Sequence, residues 1–379
     1  MDDSTKRKPS EKRYKEARLI PAAAMAITAA ALLAAYRAVI GSPAATERCI
    51  MRFSRPVRAA LGSINAHIPL SVMELMYVAA FLWLVGHIVR TVRICRGLRG
   101  AGGKIWRSLA RRALLLIAVC ALLLAGYCWL WGLDYHGKSF TERSGLQPRP
   151  VDAATLYRVT EYFLENANEL SALMPRAEDG SFQKSKREIL DEFDSAYTAA
   201  ENIFPCLAGV SRHPKPMVAS KFMSWTGFTG VYFPYTGESN INVDSPASLM
   251  ALTVAHELAH QRGVYAEDEC NFIGVMACVT CDNEVYRYSG YFGGLIYLMN
   301  ELYELDKEAW MELRGSFSPQ LEQDWLENNA YWQRYEGAAE EIAGELYDGY
   351  LKANGQEMGI RSYDACVTLI AAYFGEKVS

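Results

Sequence analysis

Three long apolar runs dominate the first third of the chain. Leu19 to Tyr36 is 18 residues without a charge, Ile68 to Val89 is 22 residues with one acid, Glu74, near its start, and Ala113 to Leu133 is 21 residues without a charge. An α-helix rises about 1.5 Å per residue, so roughly 20 residues cross a hydrocarbon core. The pattern predicts three transmembrane helices within residues 19–133. The first run has a second reading as a cleaved signal peptide, because it is Ala-rich and follows a cationic tail, although that tail is long for a signal.

Beyond Leu133 the apolar positions become periodic. Residues 151–176 and 183–204 carry helical spacing, with Leu156, Val159, Tyr162 and Phe163 on one stripe. The tract Met217–Val243 is aromatic and β-branched, broken by Gly and Pro, and predicts two or three short strands with turns at Gly227–Gly230 and Gly237–Asn240. Asp244-Ser245-Pro246 then predicts a helix start, with Ser245 as N-cap and Pro246 at the first helical position. That helix should run to about Gln261 and end at Gly263. A second is expected from near Ala266 to about Cys281, and further helices from Gly290 onward, with breaks at Gly315–Pro319 and Gly355–Gly359. The expected fold class is mainly α: a tail (1–18), an anchor of three transmembrane helices (19–133), and a mostly helical α+β ectodomain with a small sheet (134–379).

Charge sharpens this division. Residues 1–132 hold 20 Lys/Arg against 6 Asp/Glu, which leaves 19 against 37 for the remainder. An acidic large domain repels phosphate and argues against nucleic acid as a partner. Three spans almost without interior charge offer no polar pathway, which argues against a transporter. The tail carries seven Lys/Arg, the loop 90–112 eight, and the loop 42–67 four. The positive-inside rule therefore puts the tail and the second loop in the cytoplasm and residues 134–379 outside a bacterial cytoplasmic membrane. Trp129, Trp131 and Tyr135 at the end of the third run suit an interfacial belt. Beyond the anchor, Cys206, Cys270, Cys278, Cys281 and Cys366 form no disulfide framework, and Cys278 and Cys281 read as core-facing.

The sharpest chemical feature is His256-Glu257-Leu258-Ala259-His260. Two histidines four apart lie on one helix face, where both imidazoles can reach one zinc ion. Glu257 then flanks the ion as a general base for bound water. Two histidines and a carboxylate suit zinc better than manganese or iron. A catalytic zinc takes three protein ligands and one water. Glu269 is the favoured third ligand, because the apolar run Phe272, Ile273, Val275 and Met276 would hold its helix start against the first helix. Glu267 and Cys270 are the alternatives. Tyr286, Tyr288 and Arg361 are candidate oxyanion donors.

The tract HELAHQRGVYAEDECNF resembles a bacterial membrane-protein family, domain of unknown function 3810, as do FTGVYFPYTGESNIN upstream and YDGYLKANGQEMGIRSY downstream. The resemblance runs from about residue 20 to 375. Where that family commonly has Glu-Ala-Asn-Phe, this chain has Glu269-Cys270-Asn271-Phe272. The Glu-Ala-Asn pattern is itself similar to the third-ligand helix of gluzincin peptidases, which implies Glu269 as ligand and a zincin-like fold. The resemblance also implies an edge strand beside the zinc helix that pairs with extended peptide. Gly230–Phe233 or Asn240–Asn242 would supply it.

The expected function is a membrane-anchored zinc metallopeptidase acting on a peptide or protein outside the cytoplasmic membrane. Glu257 would be the base, and His256, His260 and Glu269 the ligands. The alternative is a catalytically silent, metal-stabilised envelope protein. Such a protein needs four ligands and no adjacent base, so Glu257 favours catalysis.

Overall fold

A computed structural model describes residues 19–98, 102–148, 150–356 and 363–378. The helices in chain order are α1 (Leu19–Ile40), α2 (Pro43–Cys49), α3 (Arg55–Asn65), α4 (Val72–Gly97), α5 (Gly102–Tyr127), α6 (Phe140–Ser144), α7 (Ala153–Leu173), α8 (Lys186–Asp191), α9 (Thr198–Ile203), α10 (Ser220–Trp225), α11 (Met250–Gln261), α12 (Glu267–Thr280), α13 (Glu284–Leu305), α14 (Lys307–Arg314), α15 (Pro319–Gln333), α16 (Ala338–Ala353) and α17 (Tyr363–Phe374). Among the described residues, three stretches are long and apolar enough to insert in a lipid bilayer: Pro21–Ile40, Val72–Gly97 and Gly102–Gly132.

The chain forms two compact units, and their boundary differs from the expected one. The first holds the described residues up to Ala38 together with Met76–Cys128. The second joins Val39–Leu75 to the chain from Trp129 onward. The segment between the first two spans, read from sequence as part of the anchor, therefore belongs with the large domain. The cause is polar. Arg58 pairs with Asp134 at 2.9 Å, and both side chains are almost fully buried. Asn65 Nδ2 donates to the Thr236 carbonyl at 2.8 Å. Arg55 Nη2 donates to the Gly263 carbonyl at 2.9 Å. Within the first unit, Arg112 ties α5 to α4 through the His87 carbonyl (2.7 Å) and the Thr91 hydroxyl.

The core of the second unit is helical. α11, α12 and α13 pack on one another and on α7 and α17, burying among others Phe163, Leu258, Phe272, Phe292 and Leu295. α12 shows only a weak amphipathic stripe, because α11 and α13 cover it on two sides; from Glu269 to Val279 every residue is buried. One three-stranded sheet lies against α11. Its order is β1 (Lys215–Pro216), β3 (Glu238–Ile241), β2 (Gly230–Phe233). β3 is central, parallel to β1 and antiparallel to β2, with Gly230 opposite Ile241 and Phe233 opposite Glu238.

Two local expectations shift, and one, the core-facing placement of Cys278 and Cys281, holds. The predicted helix at 183–204 is broken into α8, a 3-10 turn at Phe193–Ala196, and α9. Ser245 does not cap α11: its hydroxyl donates back to the Asn242 carbonyl, and a 3-10 turn at Ala247–Leu249 precedes Met250. Cys278 and Cys281 are both buried free thiols, each donating to a backbone carbonyl.

Candidate metal centre

α11 forms because Met250–Gln261 lacks Gly and Pro and alternates apolar with polar positions at helical spacing. It ends where Gly263 takes φ +82°, a left-handed conformation that favours glycine. The reversal is tight enough for α12 to begin at Glu267 beside the end of α11. One face of this hairpin carries the half-buried His256 and the buried His260, whose ring centroids are 5.0 Å apart.

The acid that meets them is Glu267. Its Oε2 lies 3.2 Å from His256 Nε2 and its Oε1 3.7 Å from His260 Nε2. The three ligand atoms lie within 4.8 Å of one another, and the group could hold a metal ion. Two observations support the fit. Bonds of about 2.0–2.1 Å to a tetrahedral ion place ligand atoms roughly 3.3 Å apart, and the two observed separations bracket that value. In addition, His260 Nδ1 is 2.9 Å from the Val264 carbonyl. A carbonyl can only accept, so Nδ1 donates there and Nε2 is the ring nitrogen that faces the group.

Glu269 is not part of the cluster. Successive helical residues are separated by about 100°, so Glu269 points well away from Glu267. Its carboxylate accepts from the Phe140 N–H (2.8 Å), the Thr141 N–H (2.9 Å) and the Thr141 hydroxyl (3.0 Å). It satisfies the first-turn donors of α6, which otherwise lack helical partners. Cys270 packs behind the His260 ring, its Sγ 3.3 Å from Nδ1, on the side away from the cluster. Burial pushes the Cys270 thiol up to about 12, so it is a neutral packing group at pH 7.

Glu257 is 3% exposed. Its Oε2 is buried without a hydrogen-bond partner among the described residues. Such an orphan costs free energy and calls for an explanation. Burial lifts this carboxyl to about 7, against the opposing pull of the His260 and His256 rings. Glu267 behaves oppositely: burial pushes it up, but His260 and His256 outweigh that and hold it well below the usual carboxylate range. The two acids thus differ in proton affinity across one small site, a pattern that separates a base from a ligand.

The walls come from four elements. β2 runs past Glu257 so closely that a Cβ on Gly230 would meet its Oε1 at 2.5 Å. Trp131 stands edge-on to His260 at 5.7 Å, and Tyr232 lies nearly parallel to it at 6.3 Å. Arg58 stacks on Trp131 at 4.6 Å, which links the interspan segment to the site wall. From α16, the Tyr347 hydroxyl donates to Glu267 Oε1 at 2.6 Å.

Several sequence candidates lie elsewhere. Tyr286 donates to the Ile189 carbonyl and Tyr288 to Asp324, both deep in the helical core. Arg361 lies outside the described residues. Asn240 sits on the central strand, paired on both sides, so of the two candidate segments β2 is the one at a sheet edge, with β1 forming the other edge. Tyr347 was not singled out from sequence, although it is the first residue of the YDGYLKANGQEMGIRSY tract.

A family profile described as "Protein of unknown function (DUF3810)" matches residues 52–371, and the chain belongs to that family. No curated protein and no solved structure matches it.

Proposed function

We propose that this family member is a membrane-anchored metallopeptidase of zincin type, with a zinc ion held by His256, His260 and Glu267 and with its site outside the cytoplasmic membrane. The observation that carries the reading is Glu257: a buried carboxyl whose Oε2 has no hydrogen-bond partner among the described residues, flanking a two-histidine, one-carboxylate cluster. A metal site that only stabilises a fold closes with four ligands and has no use for such a group.

A zinc ion held by His256, His260 and Glu267 would supply a Lewis acid and acidify water at the site. Glu257, buried beside the ligand histidines, would accept a proton from the attacking water and return it to the leaving amine. The edge strand β2 pairs with an extended peptide through its outer side and delivers the scissile bond past Gly230. Trp131 and Tyr232 keep the rear of His260 dry, which strengthens electrostatic interactions in the site. Tyr347 positions the Glu267 carboxylate. The orientation rests on the arginine-rich loop 90–112 and on the Val39–Leu75 segment, which belongs to the same unit as the large domain.

The test uses the purified full-length chain with quenched-fluorescent peptide libraries. Glu257→Gln should keep its metal and lose at least about a hundredfold in hydrolysis. A Glu257→Gln protein as active as wild type would overturn the reading. Metal without any hydrolysis in wild type would favour a silent metal-stabilised envelope protein.

A further inference from the structure

Around α10 the structure turns apolar side chains outward where a folded domain would bury them. Val218 is 86% exposed, Phe222 64% and Trp225 57%. They lie on one side of a short segment whose other side is well packed. Met217 and Met223 form a small core with Met73. The Val218 and Ala219 N–H groups donate to the Glu74 carboxylate at 3.1 and 2.8 Å.

Met73 and Glu74 are the second and third residues of α4, a candidate membrane span. The level of that helix end follows from its composition. Arg90, Arg93 and Arg96 mark the opposite polar boundary. Counting back roughly 20 residues from Arg90 at about 1.5 Å each reaches the first turn of α4. Glu74 therefore sits at the edge of the hydrocarbon layer, and the segment bonded to it sits at the same height. Ile64, Ile68 and Leu70, which lead into α4, are exposed as well (66%, 38% and 55%).

We propose that Val218, Phe222 and Trp225 form a lipid-docking surface that dips into the headgroup–acyl boundary of the bilayer at the level of the first turn of α4. The occupant is lipid because the patch continues from a membrane helix through two contacts, the Met73 packing and the Glu74 carboxylate. An exposed tryptophan at this height matches the interfacial preference of that side chain. Trp225 precedes β2 by five residues.

The test places an environment-sensitive fluorescent amino acid by codon suppression at Val218, Phe222 or Val210 in the full-length protein. Val210 serves as control, being 71% exposed but outside the patch. The protein is reconstituted in nanodiscs of phosphatidylethanolamine and phosphatidylglycerol, with and without acyl chains brominated near the headgroup. Quenching of at least about twofold at 218 and 222, and none at 210, is the expected result for interfacial insertion. No quenching at 218 and 222 overturns the proposal. Equal quenching at all three positions also overturns it, because the whole domain would then lie on the lipid. The readout does not depend on metal or peptide hydrolysis.

Discussion

The Tyr347 hydroxyl donates to Glu267 Oε1 at 2.6 Å, which ties α16 to the carboxylate that faces both histidines. Tyr347 is stacked on Tyr350, and Tyr350 in turn bonds the Tyr135 hydroxyl at 2.9 Å. Outer hydrogen bonds of this kind orient metal ligands and tune their affinity. Tyr347→Phe should therefore weaken zinc about 10- to 100-fold in a chelator competition titration while leaving the fold intact. Unchanged affinity would show that the bond does not position the ligand.

Gly230 and Glu257 are close enough that any Cβ at position 230 must displace the carboxylate. Gly230→Ala should lower peptide hydrolysis about a hundredfold, the usual cost of moving a catalytic group by about 1 Å. Zinc content should stay at the wild-type level, since the three atoms nearest a Cβ at 230 all belong to Glu257 and none to a ligand. Equal loss of metal and activity would mean that the substitution disturbs the whole sheet.

The Arg58–Asp134 pair makes the segment between the first two spans part of the large domain. Removing Arg58 leaves the buried Asp134 with Arg55, at 3.8 Å, as its remaining ion-pair partner among the described residues. Arg58→Ala should destabilise the second unit by about 3–5 kcal/mol in denaturant unfolding of the full chain in detergent. A protein cut to residues 134–379 should fail to fold for the same reason, because Glu238 also loses its bond from the Met73 N–H. A loss below about 1 kcal/mol for Arg58→Ala would count against this dependence.

The Asp244 carboxylate gives the fold a pH signature. Burial pushes its pKa up, but hydrogen bonds from Tyr335, Tyr331 and Ser224 outweigh that and hold it below the usual value. A depressed carboxyl stabilises the fold above its unfolded pKa of about 3.9 and loses that contribution as pH falls through its folded value. Asp244→Asn should be less stable than wild type between about pH 5 and 7, and the gap should shrink below about pH 4. A gap independent of pH would show that the loss is packing alone.

What the sequence discloses follows the range of the interaction. Three spans, the α11–α12 hairpin around Gly263 and the His256–Glu257–His260 face are set by local period and spacing, and all can be read from the chain. The choice between Glu267 and Glu269 cannot. Three consecutive acids open α12, and which one meets the histidines depends on helix phase against α11 and on α6 claiming Glu269 for its own N–H groups. Trp131, Arg58 and Tyr347 reach the site from elements far apart in the chain. No periodicity links them, although the tract beginning at Tyr347 marked the region.

Metal content tests the central claim most directly. The full-length protein, His260→Ala, Glu267→Gln and Glu269→Gln should be purified without added chelator and their zinc measured by elemental analysis. About one zinc per chain is expected in wild type and Glu269→Gln, and almost none in His260→Ala or Glu267→Gln. Folded wild-type protein without metal, or zinc that survives Glu267→Gln and disappears with Glu269→Gln, would contradict the account.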